Sequence, residues 1–139
     1  MEPEGVVDVL RRLLAALLPG GVVLDLTMSP PDETVESDGE ILGHLDGSAF
    51  FPRALAAGAG LDGLATEGLL RLEQEEPVTV IVRYPTGNDA LEDFAERTYT
   101  RIPAALARRL ETVSTECLLY SHCLVRVFRS PRGQTPRGV

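Results

Sequence analysis

Leu10-Arg-Arg-Leu-Leu-Ala-Ala-Leu-Leu-Pro-Gly-Gly-Val-Val-Leu-Asp25 is the stretch on which the fold turns. Leu10, Leu13, Leu14, Leu17 and Leu18 recur at three- and four-residue steps, while Arg11 and Arg12 share another side. That spacing predicts an amphipathic helix over Val6–Leu18. Pro19-Gly20-Gly21 stops it, since proline cannot continue a helix and glycine accepts the backbone angles of a stop. Val22–Leu26 follows at once as a short apolar run of the kind a buried strand shows. Helix, glycine turn and buried strand in succession predict an α/β chain. Asp25 interrupts that strand near its carboxyl end, where ligands settle in α/β sheets, and is the candidate ligand-binding residue.

Working outward, residues 29–40 combine acids with turn formers and read as an exposed loop. Glu40–Leu45 suits a short edge strand, and residues 49–66 a helix capped by Asp46 or Ser48. A turn rich in glutamate (Glu73, Glu75, Glu76, Pro77) leads into Val78–Tyr84, a strand whose opening Val78-Thr-Val-Ile-Val82 is β-branched throughout. Pro85–Asp89 forms a turn and cap for a helix over Ala90–Arg97, and another helix starts at Pro103 and runs through Leu110. Cys117–Phe128 is the last and longest strand. The expected fold is therefore α/β, a small mixed sheet of about three to four strands with helices on its faces. The 139 residues suit one domain over residues 1–129, with a flexible tail at 130–139.

Composition narrows the chemistry. All 13 basic residues are Arg, so neither a Schiff-base lysine nor a phosphate-loop lysine is available. The formal charge is −8, and it is uneven: residues 1–80 hold 15 acids and 4 Arg, residues 81–139 hold 6 acids and 9 Arg. Those Arg are interspersed with apolar residues and form no dense basic stripe, so no nucleic-acid partner is expected. Cys117 and Cys123 lie about 20 Å apart along an extended strand at ~3.3 Å per residue, beyond disulfide reach, and free thiols favour the cytoplasm. Met1-Glu-Pro-Glu-Gly5 carries no positive leader and Val6–Leu18 is too short and charged to span a bilayer, so neither secretion nor a membrane is expected.

Gly58-Ala-Gly60-Leu-Asp-Gly63 is a literal G-x-G-x-x-G, the form in which backbone N–H groups meet a pyrophosphate at a helix N-terminus. Gly58, Gly60 and Gly63 are accordingly the candidate cofactor-binding residues. The segment before them, Phe51-Pro-Arg-Ala-Leu-Ala-Ala57, is no strand, and Val78–Val82 leads to Arg83-Tyr84, not to an acid for a ribose. Glycines within or between helices are the plainer reading. Cys117 and Cys123, five residues between them and His44 distant, fail the spacing of a zinc site, and no metal is expected. His122 and Cys123 are neighbours and point to opposite faces of a strand, which argues against a catalytic dyad. Ser121, His44 and Asp25 make a triad only by assumption.

In the order of its elements the chain resembles the C-terminal half of a class I S-adenosylmethionine-dependent methyltransferase, a Rossmann-like fold. Leu10–Asp25 is similar to that family's helix, L-x-P-G-G turn and fifth strand. Val78–Tyr84 with Asp89-Ala-Leu-Glu-Asp-Phe94 resembles the sixth strand and its helix, and Leu118–Arg129 the antiparallel seventh. The resemblance implies that the cofactor-binding half, which would precede Val22, is missing, so no cofactor-binding residue carries over. It also implies a strand at Val22–Leu26 with a bare edge, covered by a second copy or a companion chain. The expectation is a non-catalytic interaction or assembly module, homodimeric, with no cofactor and no activity as an isolated chain. The alternative is a methyltransferase component or nucleotide- or small-molecule-binding protein completed by another chain, with S-adenosylmethionine or a dinucleotide bound. A stand-alone hydrolase working through Cys117, Cys123 or Ser121 is a third reading.

Overall fold

The computed structural model describes residues 3–131. Its elements run α1 (Pro3–Ala16), β1 (Val22–Met28), β2 (Thr34–Ser37), β3 (Glu40–His44), α2 (Phe51–Thr66), β4 (Arg71–Tyr84), α3 (Gly87–Ala95), α4 (Ala104–Glu111) and β5 (Cys117–Arg129). Beyond residue 131, the tail expected at 130–139 lies outside the described residues. The chain is α/β as expected, but its sheet has five strands and is antiparallel, where about three to four strands in a mixed sheet were expected. β2 adds a strand that was not expected, and β4 is longer than its local sequence suggests.

The first lies in the expected loop at 29–40. Val35 is its sole apolar residue, yet Val35 and Ser37 are buried because Thr34–Ser37 pairs antiparallel with Tyr120–Cys117 of β5. β2 then turns back into β3 through Asp38-Gly39, both at positive φ (51° and 76°), the geometry that a two-residue hairpin demands. The second is β4, which begins at Arg71, seven residues before Val78. Glu73 anchors this added segment, accepting from Arg129 (2.7 Å) and Arg71 (2.8 Å), and these bonds hold its carboxyl below the usual range. Pro77 is tolerated because β4 pairs with β5 alone and is an edge strand.

β5 organises the sheet. It pairs with β4, and the ion pair Glu73–Arg129 ties these two strands. It also pairs with β1, whose flanks are fastened by Ser130 N–Gly21 O and Ser29 N–His122 O (2.8 Å each), and with β2. Among the described residues no strand other than β5 pairs with β1.

The contacts gather into two compact units. The first comprises the segment up to Thr27, Arg53–Pro77 and the segment from Leu124. Val23, Leu61, Leu70 and Phe128 form its core, with Leu10, Leu14 and Leu17 of α1 packed against it. The turn predicted after α1 is present: Gly21 N donates to Leu18 O at 2.8 Å, and Gly20 sits at φ 77°, a conformation that disfavours side chains. The second unit comprises Met28–Pro52 and Val78–Cys123. Its core holds Val35, Leu45, Tyr84, Phe94, Leu106, Leu110, Cys117 and Leu119. Here α3 starts at Gly87, three residues before the expected Ala90, on a cap in which Thr86 accepts from Asp89 N (3.3 Å) and donates to the Asp89 carboxylate (2.8 Å). Among the described residues no helix is long and apolar enough to cross a membrane.

Candidate functional site

Asp25, the acid that interrupts β1, is engaged by two side chains of its own unit. Its carboxylate accepts from Arg126 Nε at 3.2 Å and from the Thr27 hydroxyl at 3.0 Å. Arg126 spreads its guanidinium further, donating from Nη1 to Asp62 (2.6 Å) and from Nη2 to the carbonyl of Gly58 (3.3 Å). The ring of Phe128 lies 5.0 Å beneath it. At 7% exposure Arg126 is a buried cation with all three nitrogens of its fork engaged.

This clamp accounts for part of the glycine motif. Gly58, Gly60 and Gly63 all lie inside α2, not in a loop leading to a helix N-terminus. A Cβ on Gly58 would stand 3.2 Å from Arg126 Nη2, so the missing side chain makes room for a guanidinium. The group this glycine admits is thus a cation held between two carboxylates, opposite in sign to a pyrophosphate. A Cβ on Gly63 would meet nothing within 4 Å. Arg126 was missed from the sequence, though a signal existed. Asp25 within one apolar run and Arg126 within another are opposite charges that burial would drive together.

The second unit holds its own polar network. Glu33, 3% exposed, accepts from the Ser121 hydroxyl with one carboxylate oxygen and from Arg97 Nη1 (2.6 Å) with the other. Arg97 lies 5.3 Å over the ring of Phe94 and 3.9 Å from Asp93, whose carboxylate accepts from the Tyr84 hydroxyl. Burial, and next the bond to Asp93, push the Tyr84 phenol well above its ordinary value. Ser121 beside a carboxylate has the composition of an activated nucleophile. Both residues are buried, however, and both oxygens of Glu33 are taken, so neither group is presented to a substrate. The arrangement locks β5 to the segment before β2.

The other candidates are placed apart. Cys117 and Cys123 are buried free thiols, both pushed up by burial, Cys123 further by the charge of Glu33. That is the reverse of what a nucleophilic cysteine needs. His44 Nδ1 shares an exposed hydrogen bond with Thr34 Oγ1 (3.2 Å), and the carbonyl of His122 holds Ser29. Among the described residues no three His, Cys, Asp or Glu side chains gather in a way that could hold a metal. No buried side-chain nitrogen or oxygen among them lacks a partner.

What remains unsatisfied is apolar. Val23 and Asp25 face the core side of β1, so Val22, Leu24 and Leu26 share the opposite face. Leu24 is 69% and Leu26 58% exposed, and Val22 is exposed beside them. Val125 and Val127 of β5, alternating with buried Arg126 and Phe128, add to the same face. Leucines mid-strand with over half their surface in water mark an interaction surface more than a packing remainder. Comparison with protein-family models, with curated proteins and with solved structures finds no match.

Proposed function

We propose that the protein is a non-catalytic assembly module that works as a homodimer. The observation that carries this reading is the bare Val22/Leu24/Leu26 face on a strand whose other side is core. Two further features support it. The polar clusters around Arg126 and Glu33 are spent on internal partners. β1 also ends the hydrogen-bonded path of the sheet, with one edge unpaired by any described strand. Descent from a methyltransferase-like sheet is part of the proposal, supported by the position of β5 between β1 and β4. The β2–β3 hairpin is foreign to such a half. Cytoplasmic residence belongs to the same reading, supported by two free thiols. Sedimentation equilibrium at micromolar concentration tests it. The expected species has twice the 15.0 kDa mass of the chain, and a solution of single chains alone overturns the proposal.

A further inference from the structure

The sheet has two exposed flanks in the first unit, and they differ in kind. The segment Arg71–Pro77 of β4 carries Glu73, Glu75 and Glu76, and Pro77 has no N–H to offer. Like charges and a proline on an edge are the devices by which proteins prevent strand addition. β1 has none of them. From Val22 to Thr27 it contains no proline or glycine and a single charge, Asp25, which Arg126 neutralises from the core side while Thr27 donates a hydrogen bond to it.

Resting on the assembly reading above, we infer that the bare edge of β1 pairs antiparallel with the same edge of a second copy, about a two-fold axis passing through Asp25. The strand is its own complement under that operation. Reversal about Asp25 sets Leu24 against Leu26 and Val23 against Thr27. Four leucines, two from each copy, then meet on the face that is open in the single chain. The one like-charge contact, Asp25 against Asp25, joins carboxylates that each already hold a guanidinium at 3.2 Å. A companion strand of other sequence would need no such reversal symmetry, so a second copy is the occupant this pattern fits.

The ladder tells which groups the pairing uses. Gly21 O and Ser29 N point at β5, so alternation sends the N–H groups of Leu24 and Leu26 toward the open edge. Leu26→Pro removes one of them without touching the β1–β5 ladder, and is expected to sediment as single chains with an unchanged circular dichroism spectrum. Leu24→Cys and Leu26→Cys give a second, independent readout. Directly opposed positions in antiparallel strands lie about 4.5–5.5 Å apart, within disulfide range, whereas diagonal ones lie ~7–8 Å apart. Mild oxidation of the two single variants mixed is expected to give a crossed 24–26 disulfide, and each variant alone little covalent dimer. Dimers that persist in Leu26→Pro, with no crossed disulfide in the mixture, overturn the edge pairing while leaving the assembly reading intact. A wild-type chain that sediments singly overturns both.

Discussion

Replacing Arg126 by Met keeps the stem of the side chain and removes its charge, and the contacts around it set the cost. Asp62 is 63% exposed, so its ion pair is screened by water and contributes about 0–1 kcal/mol. Asp25 is 18% exposed and keeps only Thr27 as a side-chain donor once Arg126 is gone. A largely buried carboxylate deprived of its cation costs about 3 kcal/mol, the low end for such pairs because some water still reaches it. The lost bond to Gly58 O and the contact with Phe128 add about 1 kcal/mol together. At a urea dependence of about 2 kcal/mol per molar, a total near 4 kcal/mol lowers the unfolding midpoint by roughly 2 M. Asp25→Asn in the Arg126→Met background removes the orphaned charge and is expected to recover about 2 kcal/mol, a coupling that a double-mutant cycle isolates. Asp62→Asn alone costs under about 1 kcal/mol. If Asp62→Asn proves as damaging as Arg126→Met, or if the cycle is additive, Arg126 is not held as described.

Two glycines separate close approach from mere permissiveness. A Cβ on Gly87 would fall 1.9 Å from the carbonyl oxygen of Leu110, so Gly87→Ala must push α3 from α4 and is expected to cost about 3 kcal/mol or more in urea unfolding. Gly63→Ala meets open space inside α2 and is expected to stabilise by about 0.5–1 kcal/mol, and destabilisation there would refute the helical placement. The buried thiols give a pH test. Cys117 and Cys123 stay protonated in the folded chain above the ~8.5 at which unfolded thiols ionise, so the native state binds more protons there. Their contribution is complete below that pH and lost as pH rises through the folded values. Urea midpoints should therefore fall between pH 7 and pH 9.5, and a thiol reagent at pH 8 should react with both cysteines only on unfolding. Fast labelling of the native protein would contradict their burial.

Local pattern alone was enough for a helix, the Pro19-Gly20-Gly21 stop, a strand at β1 and the strand β5, but not for the exposure of β1, which was expected to be buried. Each depends on periodicity or on a bond spanning a few residues, which a linear reading can see. Asp38-Gly39 is a usual hairpin dipeptide, and the structure puts both residues at positive φ. The segment nevertheless reads as a loop because β2 offers one buried apolar residue, whose burial comes from β5, more than eighty positions away. The early start of β4 depends in the same way on Arg129 reaching Glu73. The candidate residues divide along this line. That Asp25 was out of place in an apolar strand was written in the sequence, whereas its partner Arg126 lies 101 positions on. That Gly58 stands against this guanidinium was decided only when α2 and β5 packed together. Spacing along a chain fixes which way a side chain faces, but which charge it meets there depends on the tertiary path.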